Sequence, residues 1–145
     1  MTHDFEFDIV VWGATGFTGR LTAEKLAARA GRGSDLRWAI GGRNEAKLKA
    51  VRARLGSAAQ DVPIIVGDSH DVASLERLVS RTSLVCSTVG PYAMYGSELL
   101  AACAQAGPHY SDIAAEPHWL RTMMDAHAAE AAPTGARSVH ACGLD

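Results

Sequence analysis

Three glycines spaced at every third position, Gly13, Gly16 and Gly19, follow directly on four apolar residues in the stretch DIVVWGATGFTGR. Glycine loses more backbone freedom on folding than any other residue, so something must offset the cost of such a triplet. At a turn from a strand into a helix, a bound anion would do so. Gly13 would permit the sharp turn, Gly16 would leave backbone N–H groups open to a diphosphate, and Gly19 would let the helix lie close on its sheet. The unpaired amides of the helix start, with about half a positive charge from its dipole, add attraction for phosphate. The loop Gly13-Ala14-Thr15-Gly16-Phe17-Thr18-Gly19 is therefore expected to cradle a dinucleotide. Phe17 is expected in the core, and the hydroxyls of Thr15 and Thr18 suit phosphate and helix capping equally.

Which dinucleotide is decided after the second strand, where an acidic residue would take the ribose 2′-hydroxyl of NAD. None stands there. The stretch AIGGRNEAK sets Gly41-Gly42, expected to leave space, before Arg43, whose guanidinium suits a 2′-phosphate. A charge-assisted hydrogen bond of about 1.5–3 kcal/mol would favour NADP roughly ten- to a hundredfold. Asn44 and Lys47 can assist, or can serve as a helix cap and a solvated charge. Asp68 and Ser69 follow the third strand, where an adenine would lie, with helix capping as the competing role for Asp68. After the fourth strand, Val89-Gly90-Pro91 would pass beneath the nicotinamide ribose, the glycine allowing close approach and the proline stiffening the loop.

Other chemistries find little footing. No Tyr-x-x-x-Lys pair occurs, because Gly96, Leu99 and Ala114 stand four residues after Tyr92, Tyr95 and Tyr110. Tyr92 and Tyr95 suit packing or ribose contact better than acid catalysis, so no catalytic residue is assigned. The six histidines show no metal spacing, and no metal is expected. His127 is expected half-buried on an apolar helix face, while His140 and Cys142 would share a strand face given over to packing. Cys86, Cys103 and Cys142 are odd in number and embedded in apolar segments, as buried thiols of a reducing compartment are.

The elements that must position these residues are legible as alternating apolar runs and amphipathic segments. A chain of 145 residues, 48% hydrophobic and 21% charged, is one ordinary domain, neither disordered nor membrane-embedded. No apolar run approaches the roughly 20 residues of a membrane span. Asp4, Glu6 and Asp8 stand where a signal peptide would carry its cationic head and apolar core, so a cytoplasmic location is expected. Fourteen Lys and Arg against sixteen Asp and Glu give a net charge of −2, which argues against nucleic acid as a partner. Strands are expected over residues 9–12, 36–41, 62–66, 84–89, 110–113 and 137–142. Helices are expected over 17–30, from Asn44 to Gly56, after Asp71, over 97–106, and from Pro117 onward. Their inward stripes include Val72, Leu75, Leu78 and Val79 in the third, and Leu120, Met123, Met124, His127 and Ala131 in the fifth. Six strands alternating with five helices predict a doubly wound parallel α/β sheet of Rossmann type, helices on both faces, with strand order 3-2-1-4-5-6.

Together, VVWGATGFTGR, AIGGRNEAKL, TVGPYAMYG and HACGLD resemble the saccharopine dehydrogenase-like oxidoreductases, especially the branch of trans-acting enoyl reductases. The resemblance runs over nearly the whole chain. It implies an NADP-binding Rossmann domain at residues 1–145, with the substrate and dimerisation domain absent from this chain. It further implies hydride transfer to a C=C or C=N bond, a small-molecule and lipid-like substrate, and a homodimer. Where that family tends to read Asp-Leu-Thr-Gly-Glu, this chain has Asp112-Ile113-Ala114-Ala115-Glu116, losing a hydroxyl and a glycine near the expected cleft. The alternative is a module that senses NADP(H) without catalysis, similar to the NmrA-like regulators.

Overall fold

Val10 and Trp12 point to one side of the first strand and Val11 to the other, and all three are fully buried, so this strand is covered on both faces. The computed structural model describes residues 4–30 and 34–143. It contains strands β1 (Ile9–Trp12), β2 (Trp38–Gly42), β3 (Ile64–Val66), β4 (Leu84–Ser87), β5 (His109–Asp112) and β6 (Ser138–Val139). They form one sheet in the order β3-β2-β1-β4-β5-β6, all pairs parallel. The order reverses beside β1, which has β2 on one flank and β4 on the other. In such sheets a crevice opens at the carboxyl ends of the strands at that point.

Helices α1 (Phe17–Ala30) and α2 (Glu45–Arg54) cover one face, where Ala23, Ala27, Leu48 and Val51 meet Val11 and Ile40. On the other face lie α3 (Val72–Val79), α4 (Tyr92–Tyr95), α5 (Ser97–Ala106) and α6 (Pro117–Thr134). There Leu75, Leu78, Leu99, Leu100 and Trp119 pack on Val10, Val85 and Tyr110. Asn44 and Asp71 are N-caps of α2 and α3, as their residue types suggest, and Pro117 opens α6.

Several expectations are corrected. Phe17 is 74% exposed rather than in the core, because it lies about 120° around α1 from the centre of the buried stripe of Gly19, Ala23 and Ala27. Val72, 61% exposed, stands about a quarter turn off the inward stripe of α3. Met124, expected inward, is 49% exposed. The expected strand over 137–142 pairs only at Ser138–Val139, so His140 and Cys142 do not share a strand face, and Ala141 turns the chain at φ +57°. The thiols are free, but only Cys103 is fully buried and Cys142 is exposed. The sixth helix, α4, was not anticipated. Leu144 and Asp145, the end of the HACGLD motif, lie outside the described residues. Among the described residues no helix is long and apolar enough to cross a membrane.

Candidate functional site

The chain leaves β1 at Gly13, whose φ of +89° disfavours any side chain. A Cβ there would also stand 2.6 Å from Val89 Cγ2. Gly19 has a different reason for being glycine: a Cβ in this first turn of α1 would collide with the Gly13 carbonyl. Gly16 differs from both. Among the described residues a Cβ on it would meet only the Gly13 carbonyl, at an ordinary 3.5 Å, so none of them demands its small size and the space beside it is open. The amides of Gly13 and Ala14 donate to the Gly41 carbonyl at 2.9 and 3.1 Å, and that of Gly16 to Gly13 at 3.1 Å. Those of Thr15, Phe17 and Thr18 have no acceptor among the described residues. They are the orphan donors of a helix start, at its positive end.

The loop borders, at Thr15 and Gly16, a cleft of about 780 Å³ along the carboxyl edges of β1, β2, β3 and β4. It gathers Gly13, Thr15, Gly16, Arg43, Asn44, Asp68, Ser69, Val89, Gly90 and Pro91 from the candidates read in the sequence, together with Trp12, Gly42, Lys47, Thr88 and Tyr95. Ala14, Phe17, Thr18 and Gly19 do not line it. Ala14 is fully buried, Gly19 lies under the loop, Phe17 projects outward, and the Thr18 carbonyl accepts the Thr22 hydroxyl at 2.9 Å. Among the described residues neither the Thr15 nor the Thr18 hydroxyl accepts an amide of α1.

Arg43 extends from the β2–α2 turn with no ion pair among the described residues. Asn44 Oδ1 accepts the Lys47 amide at 3.0 Å, so Asn44 serves as a cap whatever else it does. The space expected at Gly41 is taken by the protein itself: a Cβ on Gly41 would stand 2.7 Å from Trp12 Cε3. Gly42 is the one that borders the cleft. Beyond β3, Asp68 does not cap α3. Its Oδ1 accepts the His70 amide at 2.9 Å, while Asp71 Oδ1 takes the Ala73 amide at 3.2 Å.

On the β4 side, the Thr88 hydroxyl donates to the carbonyls of Trp12 and Gly13 at 3.0 and 3.2 Å, tying the strand end to the glycine loop. Val89-Gly90-Pro91 then leads into α4, whose first amides, Tyr92 and Ala93, donate to the two Glu116 carboxylate oxygens at 2.7 and 2.9 Å. The Tyr92 hydroxyl donates to Ser87 O at 2.9 Å and accepts the Ile113 amide at 3.3 Å. Burial pushes its pKa up to about 12, so near pH 7 it is a neutral, committed phenol and has no proton in play. Further along the edge, buried Asp112 accepts from His140 Nδ1 at 2.7 Å and from the amides of Ala114 and Ala141 at 3.0 Å. His127, on α6, pairs with Glu130 at 2.8 Å and is half-buried as expected. Trp12, Thr88 and the capping role of Glu116 were missed in the sequence. Each acts through partners far along the chain, and no local pattern announces them. Among the described residues no group of three or more His, Cys, Asp or Glu could hold a metal ion.

Residues 9–139 match the family model for the saccharopine dehydrogenase NADP-binding domain. A trans-acting enoyl reductase of Mycobacterium leprae is 49% identical over 140 residues, and one of Mycobacterium tuberculosis is 47% identical over 140 residues. Each alignment takes in 97% of this chain and 33% of the relative, so the chain spans about a third of the length of the curated relatives it matches. Among solved structures, apo saccharopine dehydrogenase (L-Glu forming) from Saccharomyces cerevisiae superposes with a TM-score of 0.72 at 15% identity. That match covers 96% of this chain and 28% of the yeast protein, and at such low identity it speaks for the fold alone.

Proposed function

The chain belongs to the saccharopine dehydrogenase NADP-binding domain family, with NADP as its cofactor, and from that premise we propose that the cleft at the strand-order reversal holds the dinucleotide. One observation carries the reading: the space beside Gly16 is open, and the amides of Thr15, Phe17 and Thr18 have no acceptor among the described residues. The amides of Thr15, Phe17 and Thr18 receive the diphosphate, while Gly13, Ala14 and Gly19 shape the loop that presents them. Arg43, with Lys47 beside it, takes the 2′-phosphate, its guanidinium having no ion pair among the described residues. Asn44 holds that turn as the cap of α2. Asp68 and Ser69 face the adenine, and Val89, Gly90 and Pro91 line the nicotinamide end.

When bound, NADPH supplies a hydride, while the chain orients the dinucleotide and screens it from water along one side. In the longer protein the acceptor is a C=C or C=N bond of a lipid-like substrate, delivered by a substrate and dimerisation domain, and the work is done in the cytoplasm. The names of the relatives and the chain's one-third share of their length support this, and the free thiols suit a reducing compartment. The test is a titration of the chain with NADPH and NADH, followed by NADPH oxidation by the longer protein with an enoyl thioester. Tighter binding of NADPH and turnover by the longer protein are expected. Binding without oxidation would favour the sensing alternative, and no binding of either dinucleotide would overturn the assignment.

A further inference from the structure

We infer that Trp12 is a positioning residue that turns the Ser69 hydroxyl into a fixed donor for the adenine base, an inference that rests on NADP occupying the cleft. Trp12 ends β1 opposite Gly41, is 1% exposed, and still reaches the cleft. Its ring lies across β2 and β3, and the chain clears room for it: a Cβ on Gly41 or Gly67 would stand 2.7 and 3.1 Å from the ring carbons. An indole N–H can only donate, and when buried it needs an acceptor. It finds Ser69 Oγ at 3.2 Å, fifty-seven residues away.

That contact constrains the serine. Because the Ser69 oxygen accepts from Trp12, its single proton must point elsewhere, and no group among the described residues accepts it. Ser69 is 4% exposed and borders the cleft, so the vacant direction is the one a ligand would fill. Beside it stands the Asp68 carboxylate, an acceptor with only Oδ1 engaged, by the His70 amide. A donor next to an acceptor is the complement of adenine, which presents a ring nitrogen beside its exocyclic amine.

Calorimetric titration with NADPH and with 2′,5′-ADP, which carries the adenosine half alone, tests this on the unaltered chain, Ser69→Ala, Trp12→Phe and the double variant. Ser69→Ala is expected to weaken both ligands by the same factor, about three- to tenfold, with a lowered but still cooperative melting transition, since the buried Trp12 N–H loses its acceptor. Trp12→Phe should weaken them no more than that, and the double variant should bind as Ser69→Ala does, since both changes remove one relay. Trp12 lies in the core, so its variant is read only if its own melting curve shows a folded protein, and Ser69→Ala decides the proposal by itself. Normal affinity of Ser69→Ala for 2′,5′-ADP would overturn it while leaving the NADP reading intact, and so would losses that multiply in the double variant. Failure of the unaltered chain to bind either ligand would overturn both.

Discussion

The two halves of the sheet, β1-β2-β3 and β4-β5-β6, treat their polar groups in opposite ways at the carboxyl edge. In the first half glycines clear space and, among the described residues, the amides of Thr15, Phe17 and Thr18 have no acceptor and Arg43 has no counter-ion. In the second half most side chains close on one another, Glu116 on the α4 amides, Tyr92 between Ser87 and Ile113, Asp112 on His140, although the buried hydroxyls of Ser87 and Tyr110 find no partner among the described residues. Unsatisfied donors at an accessible edge are what a ligand can use, whereas satisfied buried ones hold a scaffold in shape. The contrast teaches that binding strength resides in the first half and rigidity in the second. Substitutions in the two halves should therefore move different observables.

The largest effect belongs to the second half. Asp112 is fully buried against His140, so Asp112→Ala leaves that ring without its partner and should cost about 3–5 kcal/mol of stability in urea unfolding. A loss under 1 kcal/mol would erase the distinction. Next comes Arg43→Ala in the first half, expected to weaken NADPH about ten- to a hundredfold with NADH and the unliganded melting temperature unchanged. Equal weakening of both dinucleotides would take the 2′-phosphate away from Arg43. Glu116→Ala uncaps α4, and the expected cost is about 1–2 kcal/mol, read by thermal unfolding.

The smallest effect lies away from the edge. Hydrogen bonds from Arg37 hold the Asp8 carboxyl below its ordinary value of 3.8, and Arg81 does the same for Glu6. A depressed folded-state value means that the stability these pairs add is present above the unfolded value and lost as the pH falls through the folded one. Both pairs are substantially solvated, so Asp8→Asn should cost under about 1 kcal/mol at pH 7. Its difference from the unaltered chain should close below about pH 4. A gap of constant size down to acid pH would show that the charge contributes nothing.

Legibility in the sequence follows the same division. The bounds of α5 and the caps Asn44 and Asp71 were read correctly because each depends on a few neighbouring residues, and the strand order because alternating strands and helices with right-handed crossovers prescribe it. The glycine loop is equally local: the turn at Gly13 and the close packing at Gly19 follow from their spacing. What escaped are contacts between residues far apart in the chain: Trp12 with Ser69, Glu116 with Tyr92, and His140 with Asp112. Phe17 was misread for a related reason. An aromatic residue at the start of a helix looks like core until the buried stripe is fixed by what the helix packs against, here the Gly13 carbonyl beneath Gly19.

The most direct test is residue by residue: amide resonances of the chain followed in heteronuclear NMR as NADPH is added. Saturable shifts are expected at Thr15, Gly16, Phe17 and Thr18, with small changes around Asp112 and His140. Shifts confined to the second half, or a glycine loop that stays silent at saturating NADPH, would contradict the division of labour between the two halves.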